Sequence, residues 1–120
     1  MSRRVLIVDD ELWMCSMVSE FLNLYGFEVA TAENADTALQ LAEAGTPNAI
    51  ILDVNLAGEN GLQLLTYLHR NSPDTPIIIY TGMDHDDEVV KKALAAGARA
   101  YLQKGGPLDE LVRALESAAP

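Results

Sequence analysis

The hydrophobic positions of this chain come in two rhythms. Val5-Leu6-Ile7-Val8, Ala49-Ile50-Ile51-Leu52 and Ile77-Ile78-Ile79-Tyr80 are apolar runs without alternation. A strand that does not alternate is covered on both faces, so each run predicts a buried strand of a parallel sheet. Shorter runs at residues 27–31 and 98–102 predict two more strands. Between the runs the spacing turns helical. Met14, Val18, Phe21 and Tyr25 recur at intervals of four, three and four, and Gly26 ends that segment. Asn34 can cap a second helix carrying Ala38, Leu39 and Ala42, closed by Gly45. Leu64, Leu65 and Leu68 mark a third, after a loop with Gly58 and Gly61 and before Asn71-Ser72-Pro73. A fourth is predicted over residues 84–96, with Asp84, Asp86, Asp87 and Glu88 first and Lys91 and Lys92 later, as the helix dipole favours. Gly97 ends it, and Pro107 opens a fifth at the position where its missing N–H costs nothing. Strand and helix alternate five times with short connections. That order predicts an α/β domain built on a doubly wound parallel sheet with helices on both faces.

Composition narrows the picture in three ways. With 120 residues the chain fits one domain and buries enough surface for a sizeable core. Its net charge of −10 argues against direct nucleic-acid binding. Cys15 is the single cysteine, so no internal disulfide and no cysteine metal cluster can form, and its place in an apolar helical pattern predicts a buried, inert thiol. No run approaches the ~20 apolar residues of a membrane span. Asp9-Asp10-Glu11 interrupts the apolar stretch after Arg3-Arg4 too soon for a signal peptide, so a cytoplasmic protein is expected.

Chemistry concentrates at the carboxyl ends of the predicted strands. The first ends in Asp9 and Asp10, the third in Asp53 and the fourth in Thr81, and the fifth is followed by Lys104. In a parallel sheet these ends point the same way and converge on one crevice. Acidic residues after strands are often only solvated loop starts or helix caps, but polar residues at four strand ends together point to a shared site. The second strand offers only Thr31 and Glu33, as an edge strand away from the site would. Two carboxylates ~4 Å apart repel by about 4 kcal/mol at an effective dielectric near 20, so three of them call for a cation. Oxygen donors with room for water suit Mg²⁺. Lys104 supplies a compact positive charge for a phosphate oxygen or a carboxylate, and Thr81 a hydroxyl donor. A carboxylate nucleophile at Asp53 with these neighbours makes a site for accepting a phosphoryl group as an acyl phosphate.

Six segments now stand in order along the chain: Val8-Asp9-Asp10-Glu11, Leu52-Asp53-Val54-Asn55, Gly61-Leu62, Tyr80-Thr81-Gly82, Gly97-Ala98 and Tyr101-Leu102-Gln103-Lys104. In them the chain resembles a response regulator receiver domain of bacterial two-component signalling, of the CheY-like superfamily. The resemblance implies one flavodoxin-like (βα)₅ domain over residues 1–120, with sheet order 2-1-3-4-5. No output domain is expected within these residues, so a stand-alone receiver and the amino-terminal piece of a longer regulator both stay open. It implies that Asp53 takes its phosphoryl group from a sensor histidine kinase or a histidine phosphotransfer protein. Asp10, Asp53 and the backbone carbonyl of Asn55 would hold Mg²⁺ or Mn²⁺, with Asp9 acting mainly through water. Thr81 and Lys104 would contact the phosphoryl group, and Tyr101 would be the aromatic switch that turns inward with Thr81. Such a domain is a switch that catalyses only its own phosphorylation and dephosphorylation. It controls an output partner or output domain, and a phosphorylation-dependent dimer is a further expectation.

The chain departs from the family pattern at three places. Gly105-Gly106 stands where proline usually follows the lysine, which predicts a looser connection and a less firmly placed Lys104. Ala57 replaces a usual proline, which predicts a more mobile loop after Asp53. Ala98-Arg99-Ala100 lacks the paired aspartates with which one large subfamily dimerises through its fourth helix, fifth strand and fifth helix. Competing readings are weaker. A flavin or nucleotide enzyme wants a phosphate loop after the first strand, where Asp9-Asp10-Glu11-Leu12 would repel phosphate. An aspartyl phosphatase wants Asp-x-Asp at one strand end. A degenerate receiver acting as a phosphorylation-independent interaction module is the alternative, and the retained Asp10, Asp53, Thr81 and Lys104 argue against it. Trp13 is expected as a partly exposed packing residue, and His69 and His85 as solvent-facing.

Overall fold

The computed structural model describes residues 3–45, 47–56, 58–82 and 87–118. The chain runs β1 (Arg3–Val8), α1 (Leu12–Asn23), β2 (Phe27–Ala32), α2 (Ala35–Gly45), β3 (Ala49–Leu52), a hairpin of β4 (Asn55–Leu56) and β5 (Glu59–Asn60), α3 (Gly61–Asn71), β6 (Ile77–Thr81), α4 (Asp87–Ala95), β7 (Ala100–Gln103) and α5 (Leu108–Ala118). The main sheet is parallel and ordered β2-β1-β3-β6-β7. With the hairpin set aside, that is the 2-1-3-4-5 order expected from the sequence.

The non-alternating strands serve two cores at once. Successive side chains of a strand point to opposite faces. Leu6, Val8, Ile50, Leu52, Ile77 and Ile79 pack on one face with Ala38 of α2, Leu64, Leu65 and Leu68 of α3, and Ala93 of α4. Val5, Ile7, Ala49, Ile51, Ile78 and Tyr80 pack on the other with Met14, Cys15, Val18 and Leu22 of α1 and Leu111, Val112 and Leu115 of α5. Each fully buried aliphatic side chain stabilises by roughly 1.5–3 kcal/mol, which gives the sheet a rigid carboxyl edge for the polar residues beyond it.

Two local features differ from the sequence expectation. α1 stops at Asn23, so Tyr25 lies past its end and is about half exposed, although it continues the apolar spacing. The chain turns there through bonds from the N–H groups of Leu24, Tyr25 and Gly26 to the carbonyls of Phe21, Leu22 and Asn23. The β4–β5 hairpin was not foreseen, and it directs the chain from Asp53 into α3. α3 is capped by Asn60, whose Oδ1 accepts from the N–H groups of Leu62 and Gln63. The predicted cap of α2 is present, with Asn34 Oδ1 accepting from Thr37 N–H at 2.9 Å. Ala57, Asp84, His85 and Asp86 lie outside the described residues.

Gly61 fixes how that hairpin meets α3. A Cβ at this position would overlap the Val54 backbone, whose carbonyl accepts the Gly61 N–H at 3.2 Å. Only glycine permits so close an approach, and Val54 directly follows Asp53 in the chain.

Candidate functional site

The polar residues beyond the strands are held by their own main chains. Asp9 N–H donates to the Ala32 carbonyl at 2.9 Å, Asp53 N–H to that of Val8 at 3.0 Å, and Lys104 N–H to that of Thr81 at 2.8 Å. These bonds extend the sheet ladders past the last paired residues, so the site inherits the rigidity of the core. Asp10, Glu11, Asp53, Asn55, Thr81 and Gly82 line one crevice of about 320 Å³ at this edge.

Lys104 is the electrostatic centre. Its Nζ lies 2.7 Å from Asp9 Oδ2, 2.8 Å from Asp53 Oδ2 and 2.7 Å from Glu11 Oε1. An ammonium has three N–H donors, and three carboxylates take them. Burial alone would pull the pKa of this lysine down, but its bonds to Asp53, Asp9 and Glu11 outweigh burial and hold it above its ordinary 10.5. The lysine is therefore charged at every physiological pH. Burial raises the pKa of Asp9 above the usual carboxylate value, and the bond from Lys104 offsets part of that rise. The second oxygen of Asp9 accepts from Glu11 N–H at 3.0 Å.

Asp53 is only 4 % exposed, yet it lines the crevice. Its Oδ1 accepts from Asn55 N–H at 2.9 Å while Oδ2 faces Lys104. The carboxylate is thus oriented at both oxygens. Asp9, Asp10 and Asp53 each offer one carboxylate oxygen within 4.8 Å of the others. An all-oxygen, highly anionic donor set of this spacing fits a hard divalent cation such as Mg²⁺ or Mn²⁺. Asn55 is exposed beside them and lines the same crevice.

Thr81 ends β6 fully buried. In the parallel register Tyr101 pairs with Ile79 and Gln103 with Thr81, which puts Thr81 and Tyr101 on one face of the sheet. Tyr101 packs against the core shared by α2, α3 and α4, and its hydroxyl is buried. The Tyr101 ring therefore already points inward.

The five strand-end residues named from the sequence are brought together, with two corrections. The connection after Lys104 is not loose in its effect. Gly105 turns with φ +91°, a conformation that favours glycine, and the Lys104 side chain is 7 % exposed and triply bonded. His69 does not face solvent freely, since it is half-buried with its ring packed over Gly97, where any Cβ would overlap it. Glu11 is the residue that sequence reasoning passed over as a Lys104 partner. Its signal was there, as a glutamate directly after the acidic pair at a helix N-cap, where Ser, Thr, Asp or Asn is favoured. Cys15 is 4 % exposed, and burial pushes its thiol up to about 11, as expected of an inert cysteine. Trp13 is 62 % exposed on α1, two residues along the chain from Glu11.

The sheet order and this carboxyl-edge site define the class. Residues 5–116 match the model of the response regulator receiver domain, and the chain belongs to that family, the receivers of two-component systems. It is 39% identical over 111 residues to the transcriptional regulatory protein PrrA of Mycobacterium tuberculosis, covering 92% of this chain and 47% of that protein. A CheY-like response regulator receiver domain protein from Methanospirillum hungatei superposes with a TM-score of 0.90 at 29% identity, covering 98% of this chain and 93% of that one. A response regulator from Burkholderia pseudomallei, solved with a phosphorylated aspartic acid, calcium ion and citrate, superposes with a TM-score of 0.88 at 31% identity over 98% of this chain and 68% of that one. The chain spans about half the length of the mycobacterial relative. Among the described residues no helix is long and apolar enough to cross a membrane.

Proposed function

We propose that this chain accepts a phosphoryl group on Asp53 from a phosphohistidine of a sensor histidine kinase or phosphotransfer protein, in the cytoplasm. One observation carries the reading. Asp53 is a nearly buried carboxylate oriented at one oxygen by Asn55 N–H and at the other by Lys104, and it faces an open crevice. In the transfer an Asp53 oxygen bonds to phosphorus as the phosphorus–nitrogen bond breaks, and the histidine ring keeps the electron pair. Hydrolysis returns Asp53 to a carboxylate when water attacks phosphorus. Lys104 donates to a transferring oxygen and offsets its charge, and Thr81 donates its hydroxyl to another. Asp10, Asp53 and the Asn55 carbonyl would hold Mg²⁺ or Mn²⁺, with Asp9 acting through water. When bound, the cation neutralises charge on the phosphoryl oxygens.

Two charge-assisted hydrogen bonds to the phosphoryl group, at about 1.5–3 kcal/mol each, approach the ~5.5 kcal/mol that carries a two-state equilibrium from 1:99 to 99:1. Their pull on Thr81, on the same sheet face as Tyr101, supports a switch that repacks the α4–β7–α5 face for an output partner or domain. The competing reading of a phosphorylation-independent interaction module has no observation in its favour, because Asp9, Asp53 and Lys104 make direct contacts that such a module does not need.

Acetyl phosphate with Mg²⁺ is expected to add one acid-stable, hydroxylamine-labile phosphoryl group, and Asp53→Asn to prevent it. Intact-mass spectra of the wild type without an adduct, under conditions that label a control receiver, overturn the reading.

A further inference from the structure

The crevice holds an acidic group that the phosphoacceptor reading leaves without a role. Glu11 is the N-cap residue of α1, yet its side chain makes no capping hydrogen bond. Its backbone is committed, with N–H to Asp9 Oδ1 at 3.0 Å and carbonyl accepting from Cys15 N–H at 3.1 Å. The carboxylate turns instead to Lys104 Nζ, 2.7 Å away. It forgoes a capping hydrogen bond to the first turn of α1 to do so.

The three carboxylates on Lys104 are not equivalent. The side chains of Asp9 and Asp53 are 3% and 5% exposed, whereas that of Glu11 is 45% exposed. Asp9 is fastened at both oxygens, to Lys104 and to Glu11 N–H. Asp53 is fastened at both oxygens too, to Lys104 and to Asn55 N–H. Of the three, only the Glu11 side chain is substantially exposed to water. A phosphoryl oxygen that reaches Lys104 needs an N–H from an ammonium whose three donors are taken, and it repels any carboxylate that stays.

We infer that Glu11 is the exchangeable partner of Lys104: it holds the lysine over Asp53 in the unphosphorylated protein and is displaced to solvent when the phosphoryl group arrives. Glu11 is a positioning residue that acts through Lys104, and it sets the rate of phosphorylation and the affinity for the phosphoryl group by competing for one donor. The inference rests on the phosphoacceptor reading. It predicts that Glu11→Gln, which keeps the side chain's size but weakens its hold on the ammonium, favours the phosphorylated side of the exchange.

The test compares wild type, Glu11→Gln and Asp53→Asn in three measurements. In the metal-free protein, the Lys104 side-chain ¹⁵Nζ resonance shifts in Glu11→Gln. With Mg²⁺, the Kd for beryllofluoride read from Trp13 emission falls roughly fivefold, the size expected for losing one half-exposed ion pair. The acetyl phosphate labelling rate rises by a similar factor. An unchanged Lys104 resonance, or a beryllofluoride Kd and labelling rate equal to or poorer than wild type, overturns the role of Glu11 while wild-type labelling leaves the phosphoacceptor reading standing. Absence of any wild-type label overturns both.

Discussion

At the scale of single residues, Lys104 decides the electrostatics of the site, and its removal exposes how the acids depend on it. Lys104→Met leaves Asp9 and Asp53 buried with a negative charge and no cationic partner, at a cost of about 3 kcal/mol near pH 7 without divalent metal. The pH dependence has a definite sign. In the variant Asp9 loses the contact that lowers its pKa, so the raised folded value climbs further above 3.8. A folded protein that binds more protons than the unfolded chain loses stability as pH rises, so the penalty is smallest near pH 4 and grows towards neutrality. In the wild type the folded pKa of Lys104 stands above 10.5, so its contribution is fully present below that pH and is lost as pH rises through the folded value. Urea unfolding of both proteins is therefore expected to give a stability gap that widens from pH 4 to 7, holds through pH 10 and narrows beyond. A gap that shrinks between pH 4 and 7 contradicts this account. Asp9, Asp10, Asp53, Thr81 and Lys104 were legible from sequence because each breaks an apolar run at a strand's end. The partnership of Glu11 with Lys104 was not, because it joins residues at opposite ends of the chain and no local pattern encodes it. His69 was misplaced for a related reason: its burial depends on the missing side chain of Gly97, on a different element.

At the scale of elements, the site depends on how the hairpin after Asp53 meets α3. Gly61→Ala drives a methyl group into the Val54 backbone, and neither the strand behind it nor the capped helix in front can yield cheaply. The expected loss is about 2 kcal/mol, or roughly 8 °C in melting temperature for a domain of this size. The same variant is expected to slow acetyl phosphate labelling, because Val54 and Asn55 move with the loop that orients Asp53. Calorimetry and a labelling time course check the two halves separately. The strands and helices were readable because two-sided burial leaves unbroken apolar runs and one-sided burial leaves helical spacing. The β4–β5 hairpin was not, since it pairs only Asn55 with Asn60 and Leu56 with Glu59 and so leaves no periodic trace. The end of α1 was misread because Tyr25 continues the apolar spacing while its backbone has already left the helix. Gly105-Gly106 pointed to a loose joint, but the grip on Lys104 comes from the three acids and not from the turn.

At the scale of the whole molecule, a cation held in the acidic crevice would make folding and cation binding one equilibrium. A cation that binds only the native state stabilises it in proportion to its occupancy. Mg²⁺ at ten times its Kd is expected to add about 1.4 kcal/mol, a rise of roughly 5 °C in melting temperature that EDTA reverses. Asp10→Asn is expected to abolish the rise, and a variant that keeps it in full shows that the cation binds elsewhere. The bond from Lys104 N–H to the Thr81 carbonyl sets a limit on how such a domain can signal. It ties the ends of β6 and β7 together, so the two residues proposed to bind the phosphoryl group share one margin of the sheet. What remains free is rotation about side-chain bonds. On the proposed switch, the message would leave as a change of side-chain relief on the α4–β7–α5 surface, and whatever receives it would read contour and not distance.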